Sequence, residues 1–348
     1  MKKKELMINS PKINIDNTNR KFYGMVSYAG MLKDDKMQNP EICLAVVKKS
    51  PLALQYVREQ SPEICIASVR NNPFSLQYVR EQTAEICLEA VKCNGLSLEF
   101  VKEQTPEICK EAVESDGFAI NYVKEQTHDL CLTAVKKSPN SLNYVKDKTF
   151  DICLTAVKSD GRSIRFIEDQ SLELCMEAIK SNPCSVRYIK NLTPELCLEA
   201  IRVDAMSLQY IKDQSVELCM DAVRQNGRSL RYVNEQSEDI CREAVKQYRY
   251  AIDYVNEKFL DKICEDFNIF YLPGNLYHRA LVIAKEGEEY LCWIGCREGI
   301  TIYELLHLIH TEDGGLEENP HRYYYIEFLK KHNLFDSKIK MNIYYKRV

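Results

Sequence analysis

The sequence lacks several features that mark common classes of protein. It contains no run of about 18 consecutive apolar residues, so we expect no membrane-spanning helix. The basic start at residues 1–7 is not followed by a long apolar stretch, so we expect no secretory signal. Acids and bases nearly balance, with a formal net charge of −4. That balance does not favour binding to nucleic acid or to an anionic membrane.

Common catalytic motifs are also missing. The sequence has no P-loop, no Gly-x-Gly-x-x-Gly after a strand, no Gly-x-Ser-x-Gly and no His-Glu-x-x-His. We therefore predict a protein that is not an enzyme and needs no cofactor. Residues 259–348 keep open the alternative of an undetected ligand or enzymatic site.

What the sequence does contain is a repeat of 22 residues without insertion or deletion. A cysteine recurs at this interval, at Cys43, Cys65, Cys87, Cys109, Cys131, Cys153, Cys175, Cys197, Cys219 and Cys241. An aromatic residue recurs in phase with it, at Tyr56, Tyr78, Phe100, Tyr122, Tyr144, Phe166, Tyr188, Tyr210, Tyr232 and Tyr254. A fixed period of this length predicts a solenoid, in which each repeat packs only against its neighbours.

The cysteine column predicts small buried thiols in a reducing, cytoplasmic compartment. Stacked helices lie about 8–10 Å apart, whereas a disulfide needs Cα atoms within about 7 Å. A linear row also cannot converge on a tetrahedral zinc ion. If the source is a virus, the compartment would be the host cytoplasm.

Within a repeat, the residue pattern predicts two short helices. Each unit begins with a side chain that can cap a helix N-terminus, as at Ser61, and an acid follows two residues later. An Asn, Asp or Ser before Gly or Pro then breaks the chain in most units, and Asn72, Ser138 and Asn182 are expected to cap a second helix. The second helix is predicted to end at a glutamine such as Gln82. The fold class is thus mostly α, an α-solenoid of ten 22-residue two-helix repeats followed by a small α+β domain.

Three segments are predicted along the chain. Residues 1–38 form an N-terminal segment and cap, residues 39–258 the ten-repeat solenoid, and residues 259–348 a small α+β domain. In that last segment the pattern predicts strands at 281–284, 290–294 and 339–343. It also predicts a helix opened by a capping box at Thr301 and ending near His310, and another from Asn319-Pro320 to about His332.

The repeat wording resembles a known family. The string Pro-Glu-Ile-Cys-Leu-x-Ala-Val-Lys-x-Asn-Gly-x-Ser-Leu-x-Tyr-Val-Lys-x-Gln is similar to short helical repeats of a domain-of-unknown-function class from giant viruses, phages and bacteria. The resemblance covers residues 39–258. It implies an α-helical array and no activity, and by analogy it suggests a virus–host or defence-related interaction.

A metal site is a weak prediction in the last segment. His307 and His310 lie three residues apart on a predicted helix, and Cys292 and Cys296 are near in sequence. On a strand, however, the two cysteines would lie about 13 Å apart. We therefore predict no metal site and keep His307 and His310 as weak candidates.

Two rows of bases suggest the alternative of a nucleic-acid-binding solenoid. One row lies at the end of the first helix, as at Arg70 and Lys92, and the other near the end of the second, as at Arg80 and Lys102. Such rows could follow a phosphate backbone. Because acids recur beside them in every repeat, pairing with neighbours is the stronger interpretation.

The most variable positions predict where a partner binds. Cap, cysteine, Ala-Val and Tyr-Val positions barely change, which we attribute to packing. Positions before and within the second helix change from apolar groups in the early repeats to arginines in the later ones. Aromatic and arginine side chains are common in binding hot spots. We predict a non-catalytic scaffold that binds a protein along this surface, through Phe74, Phe118, Arg162, Arg165, Arg187, Arg228 and Arg231.

Overall fold

A computed structural model describes residues 30, 32–274, 280–286, 289–294, 297–310 and 322–334. The chain forms two compact units, Met1–Ser159 and Asp160–Val348. The division falls inside the sixth repeat, so the predicted segment boundaries at 38/39 and 258/259 stay predictions. No helix of the described residues has the length and apolar character needed to cross a membrane.

Each of the ten repeats begins with an α-helix of ten residues. These helices, α1 to α10, are Pro40–Lys49, Pro62–Asn71, Ala84–Cys93, Pro106–Ser115, His128–Lys137, Phe150–Ser159, Leu172–Ser181, Pro194–Val203, Val216–Gln225 and Glu238–Gln247. The predicted caps are present: the Ser61 hydroxyl, for example, accepts a hydrogen bond from the main-chain N–H of Ile64 at 3.4 Å. The hydroxyl of Thr149 differs and donates to the Asp151 carboxylate at 2.5 Å.

The second helix of each repeat is a 3₁₀-helix of six residues. The ten are Pro51–Tyr56, Pro73–Tyr78, Gly95–Phe100, Gly117–Tyr122, Pro139–Tyr144, Gly161–Phe166, Pro183–Tyr188, Ala205–Tyr210, Gly227–Tyr232 and Arg249–Tyr254. Asn72 and Asn182 cap their helices as predicted, but the Ser138 side chain makes no capping bond. Three residues complete one turn, so side chains three apart lie on the same face. The second helix ends at the aromatic residue, so the prediction that it runs to the glutamine was wrong.

The glutamine instead joins one repeat to the next. In Gln60 the side-chain nitrogen donates to the Leu54 carbonyl at 3.1 Å and to the Tyr78 carbonyl of the next repeat at 3.0 Å. Its side-chain oxygen accepts from the Arg80 main-chain N–H at 3.0 Å. We call this arrangement the glutamine clamp. It pairs loop main-chain groups that neither helix could pair.

The core of each repeat is built from the same buried positions. The cysteine column is buried throughout, as predicted, and it packs with the Ala-Val pairs of the α-helices and the Leu and Val positions of the 3₁₀-helices. Several cysteine thiols point at the clamp, for example Cys241 Sγ at 3.3 Å from the Gln236 side-chain oxygen. A Cβ built on Gly161 would lie 2.0 Å from the Ala178 carbonyl oxygen of the next repeat. Glycine there permits the close stacking of neighbouring repeats.

The described residues before the first repeat make contacts like those at the end of a repeat. Leu32 is buried, and Lys33 Nζ lies 5.1 Å from the centre of the Tyr56 ring. Gln38 forms a clamp with the Tyr56 carbonyl at 3.0 Å and with the Arg58 N–H at 3.0 Å. The rest of the predicted cap, residues 1–31, lies outside the described residues except for Gly30.

After the tenth repeat the chain forms one more α-helix and a small sheet. Helix α11 (Glu257–Asp266) buries Ile263 at the position where the cysteine would recur. An antiparallel sheet follows, with strands β1 (Ile269–Leu272), β2 (Leu281–Glu286), β3 (Glu289–Ile294) and β4 (Arg297–Thr301) in sequential order. The register pairs Ile269 with Ala284, Leu281 with Ile294 and Leu291 with Thr301.

Two helices cover this sheet. Helix α12 (Ile302–His310) and helix α13 (Arg322–Lys331) pack Leu305, Ile309 and Tyr325 against buried residues of β2 and β3. The predicted capping box is present: Thr301 Oγ1 accepts from the Glu304 N–H at 3.2 Å, and the Glu304 carboxylate accepts from the Thr301 N–H at 2.7 Å. The predicted strand at 339–343 lies outside the described residues, whereas α11, β1 and β4 were not predicted.

Candidate partner-binding surface

The aromatic column at the end of the 3₁₀-helices lies at the surface and not in the core. Its rings are half-buried, and Tyr144 is 40% exposed. In the unit from Asp160 to Val348, arginines occupy the preceding position of several repeats. We call this set the arginine–aromatic ladder. It consists of Arg165, Arg187, Arg231, Phe166, Tyr188, Tyr210, Tyr232 and Tyr254.

Each arginine of the ladder lies between two rings. The Arg187 guanidinium carbon is 5.3 Å from the centre of the Tyr188 ring and 5.5 Å from the Tyr210 ring of the next repeat. Arg231 repeats the geometry at 5.0 Å from Tyr232 and 5.5 Å from Tyr254. Cation–π contact on both sides holds the guanidinium groups in place and leaves the N–H edges of Arg187 and Arg231 for other acceptors.

The ladder begins at Arg165 and has no arginine in the tenth repeat. Arg165 lies 4.5 Å from the Phe166 ring and 5.8 Å from the Tyr188 ring. At the other end, Asp253 stands where an arginine would recur and accepts a hydrogen bond from the Tyr271 hydroxyl of β1 at 2.6 Å. Burial, followed by this bond, raises the pKa of Tyr271. The sheet therefore covers the end of the ladder.

The charges around the ladder favour an anionic ligand. Within the described part of the chain, neither Arg187 nor Arg231 forms an ion pair. In the eighth repeat Gln209 replaces the arginine, and its side-chain nitrogen donates to the carbonyl of Met206 in its own turn at 2.9 Å. Two of the three arginines thus present positive charge that no described carboxylate neutralises.

Two other predicted arginines are held by neighbours. Arg162 pairs with Asp160 at 3.1 Å within its own turn, and this pairing lowers the pKa of the Asp160 carboxyl. Arg228 donates to the Tyr248 hydroxyl at 2.9 Å and to the Glu298 carboxylate at 2.7 Å. Arg228 therefore ties the ninth and tenth repeats to strand β4.

The two predicted phenylalanines lie in the unit from Met1 to Ser159. Phe74 contacts the Phe100 ring edge-to-face at 6.0 Å, and Phe118 contacts the Tyr144 ring in the same way at 6.2 Å. Phe118 stays 38% exposed. The structure thus places the predicted binding residues in three settings: the ladder, local ion pairs, and aromatic pairs in the other unit.

The second basic row is used to join repeats. Arg80 donates to the Arg58 and Val57 carbonyls of the preceding repeat at 2.6 and 2.9 Å. Lys124 and Lys190 likewise reach the carbonyl of the residue 22 positions earlier, each at 2.9 Å. Bases engaged in this way bind main-chain oxygen of the preceding repeat.

The weak metal candidates are placed as follows. His307 is exposed on α12, and the side chain of His310 lies outside the described residues, as does Cys296. Cys292 is buried in the sheet core, and burial raises the pKa of its thiol to about 12. Among the described residues, no group of three or more His, Cys, Asp or Glu side chains could hold a metal ion.

Family comparison agrees with the repeat boundaries. The family model described as a domain of unknown function, DUF4116, matches residues 39–82, 84–127, 127–172, 193–236 and 215–260. Each match spans about two of the 22-residue repeats. The chain belongs to this family. Tandem DUF4116 repeats therefore form the helical array between residues 39 and 260, and no curated protein or solved structure matches the chain.

Sequence reasoning found the arginines but missed the rings beneath them. The aromatic residue of every repeat was attributed to core packing. The available signal was the mixture of ring types with hydroxyl groups at one position, since a buried tyrosine needs a hydrogen-bond partner in each repeat. The glutamine clamp was also missed, although a glutamine at a fixed position implies a specific amide contact.

Proposed function

We propose that the DUF4116 array is a non-catalytic scaffold that binds a protein partner, and that the arginine–aromatic ladder is its main contact. The partner presents an extended segment with acidic side chains to the ladder. The proposal includes the setting that the resemblance implies, a virus–host or defence-related interaction in the cytoplasm. The observation that supports it is the paired-ring geometry of Arg187 and Arg231 without a described carboxylate partner.

The geometry suits an extended chain. Neighbouring repeats lie about 8–10 Å apart, and an extended peptide advances about 3.3–3.6 Å per residue. One repeat therefore corresponds to about three residues of partner. Carboxylates spaced by three residues would meet Arg165 and Arg187 in turn, and a carboxylate six residues farther on would meet Arg231.

A protein partner is favoured over nucleic acid for two reasons. The second basic row binds main-chain carbonyls of the array, and acids accompany the bases in every repeat, with a net charge of −4 for the chain. A continuous polyphosphate would meet these acids along its whole length, whereas a peptide can place single carboxylates at the arginines.

The test uses the full-length protein and a fluorescein-labelled peptide with glutamate at every third residue and serine between. We expect the triple variant Arg165→Ala, Arg187→Ala, Arg231→Ala to bind this peptide at least about 30-fold more weakly, as for hot-spot arginines. Its thermal stability should fall, since exposed cation–π contacts contribute about 0.5–1 kcal/mol each, but the protein should stay folded at the temperature of the binding assay.

The matched control removes the same charge from the α-helix ends. Arg202→Ala, Arg224→Ala, Lys246→Ala changes three exposed bases outside the ladder, and its affinity should stay within about threefold of the wild type. Equal losses in both triple variants would show unspecific charge attraction and overturn the proposal. So would tighter binding of a single-stranded oligonucleotide with the steep salt dependence of phosphate contacts.

A further inference from the structure

Of the nine repeats that precede another repeat, two end without the usual glutamine, and one of these two lies beside the ladder. Lys148 and Leu192 occupy the clamp position of the fifth and seventh repeats. Lys148 turns back to its own repeat, where Nζ donates to the Val145 carbonyl at 3.0 Å. Leu192 is half-buried and has no amide, so it cannot form the clamp.

The neighbouring clamps show which atoms the missing amide would bind. Gln170 donates to the carbonyls of Ile164 and Tyr188 at 3.1 and 3.0 Å and accepts from the Lys190 N–H at 2.9 Å. The equivalent atoms beside Leu192 are the Val186 and Tyr210 carbonyls and the Lys212 N–H. In the described part of the chain, no side-chain amide bonds the Tyr210 carbonyl or the Lys212 N–H.

A groove at this joint is lined by the residues that carry those atoms. It has a volume of about 780 Å³, and its lining includes Val186, Tyr210 and Lys212 together with Arg187 of the ladder. The corresponding groove at the joint of the third and fourth repeats has a volume of about 640 Å³. Its lining includes Gln104 and Lys124 but not Glu99 or Tyr122, the counterparts of Arg187 and Tyr210. There Gln104 bonds the Tyr122 carbonyl at 2.8 Å and closes that side. Leucine in place of glutamine therefore connects the groove with the ladder.

The charge of this joint also differs from that of its neighbours. Asn191 stands where the other repeats carry an acid, as at Asp169, Asp213 and Glu235. Three bases lie around the groove, namely Arg187, Lys190 and Lys212. Asp213 and Glu217 are the acids in its lining, and they belong to the following loop and helix. The side toward the ladder is therefore positive and suits an acidic ligand.

We propose that the Leu192 joint is a carboxamide pocket of the ladder, in which a glutamine side chain of the bound acidic segment takes the place of the clamp. The glutamine nitrogen donates to the Tyr210 carbonyl, and its oxygen accepts from the Lys212 N–H. The inference rests on the proposed function, since the ladder holds the segment. Hydrogen bonds to otherwise unpaired groups in a partly buried groove provide specificity.

The experiment compares three kinds of labelled peptide on the full-length protein. The first has glutamate at every third residue with serine between. The second kind has glutamine in place of one serine next to the central glutamate, in two versions, one for each side. The third kind has leucine at the same positions. We expect one glutamine version to bind at least about tenfold more tightly than the serine and leucine peptides.

Two variants localise that preference. Leu192→Gln supplies the clamp from within the chain, so it should raise the unfolding temperature and abolish the preference for the glutamine peptide. Leu192→Ala leaves the main-chain atoms accessible and should keep the preference. Both variants should bind the serine peptide as the wild type does, because the ladder is unchanged.

The possible failures are distinguishable. If the wild type binds all three peptides equally, or prefers leucine, the carboxamide pocket is wrong while the ladder stands. If the preference persists in Leu192→Gln, the pocket lies elsewhere and the assignment to this joint is wrong. If no peptide binds, the proposed function and the pocket both fall.

Discussion

The side-chain nitrogen of Gln214 donates to the main-chain carbonyl oxygen of Tyr232, 18 residues later, at 2.9 Å. The same glutamine accepts from the Asn234 N–H at 2.9 Å and contacts its own repeat through the Leu208 carbonyl at 3.3 Å. One side chain thus spans two repeats. In a solenoid, stability depends on such interfaces between neighbours as much as on each repeat itself.

We predict that Gln214→Leu lowers the free energy of unfolding by about 1–3 kcal/mol, since it removes several hydrogen bonds and leaves partly buried groups unpaired. Urea denaturation of the full-length protein measures the change. Gln209→Leu is the matched control, because Gln209 is exposed and bonds only within its own turn. If both variants lose the same stability, the clamp does not hold the repeats together.

The opposite substitution, at Leu192, tests the same role of the clamp. Leu192→Gln should stabilise the protein, while Gln214→Leu destabilises it, although the two substitutions change one position of the repeat in opposite directions. A change of the same sign in both variants would mean that size and hydrophobicity at this position matter more than the amide.

A column of buried serines gives a second prediction. The hydroxyl oxygens of Ser163, Ser185, Ser207 and Ser229 are buried and have no hydrogen-bond partner in the described structure. Alanine occupies the same position in other repeats, at Ala119 and elsewhere. Burying an unpaired hydroxyl is unfavourable. Replacing all four serines by alanine should therefore raise the free energy of unfolding, by about 0.5–1 kcal/mol per site.

The control for the serine column is Ser75. Its hydroxyl lies 2.9 Å from that of Ser68, which donates its one hydrogen to the Pro51 carbonyl at 2.8 Å and therefore accepts from Ser75. Ser75→Ala should be neutral or destabilising. Calorimetric unfolding temperatures that fall in the fourfold variant would show that the buried hydroxyls find partners in solution.

The repeat and its caps could be predicted from sequence, because capping residues, a 22-residue period and amphipathic spacing are local signals. The 3₁₀ geometry could not. Six residues bounded by Asn-Pro or Asn-Gly allow either helix type, and the choice depends on packing against the next repeat. Three residues per turn place Arg162 and Arg165 on one outward face, which explains why both positions vary.

In the C-terminal segment, strands β2 and β3 were predictable and β1 and β4 were not. Leu281–Ala284 and Tyr290–Ile294 are apolar runs that form the buried centre of the sheet. Strand β4 contains Arg297, Glu298 and Gly299, a sequence with little strand preference. Its pairing with β3, and the contact of Glu298 with Arg228, follow from the tertiary fold. The glutamine and aromatic positions recur in the sequence, but the clamp and the ladder were missed because their contacts join residues of different repeats.

The capping box of α12 gives a third prediction. Thr301 ends strand β4 and caps the helix that covers the sheet, so its loss affects both elements. Thr301→Ala should cost about 1 kcal/mol, and Thr301→Ser, which keeps the hydroxyl, should cost less. Hydrogen exchange of the α12 amides measures the effect. Unchanged protection in Thr301→Ala would mean that packing of Leu305 and Ile309 alone sets the helix.

The cysteines give the last prediction, which concerns both reactivity and pH. Burial raises the pKa of every thiol in the cysteine column, and that of Cys241 to about 11. Only the thiolate reacts with alkylating reagents. Because the column is both inaccessible and protonated, we expect the native protein at pH 8 to react first at exposed Cys93 and next at half-buried Cys184.

Mass spectrometry of peptides after brief treatment with iodoacetamide identifies the labelled cysteines, and labelling in urea shows that every thiol can react. Cys93→Ser should remove the fastest phase and leave the column protected. Rapid labelling of the column in the native protein would contradict its burial and with it the stacking of the repeats.

The same pKa shifts predict loss of stability in alkali. A buried thiol with a raised pKa binds its proton more tightly in the folded protein than in the unfolded chain. The contribution is therefore complete below the unfolded pKa near 9 and declines as the pH rises toward about 11 for Cys241. We expect the free energy of unfolding to fall between pH 9 and 11 because ten such groups act together. Replacing Cys197, Cys219 and Cys241 by alanine removes three of them, so the stability of this variant should decline less steeply over that range. An equal slope would assign the alkaline loss to other groups, such as the tyrosines.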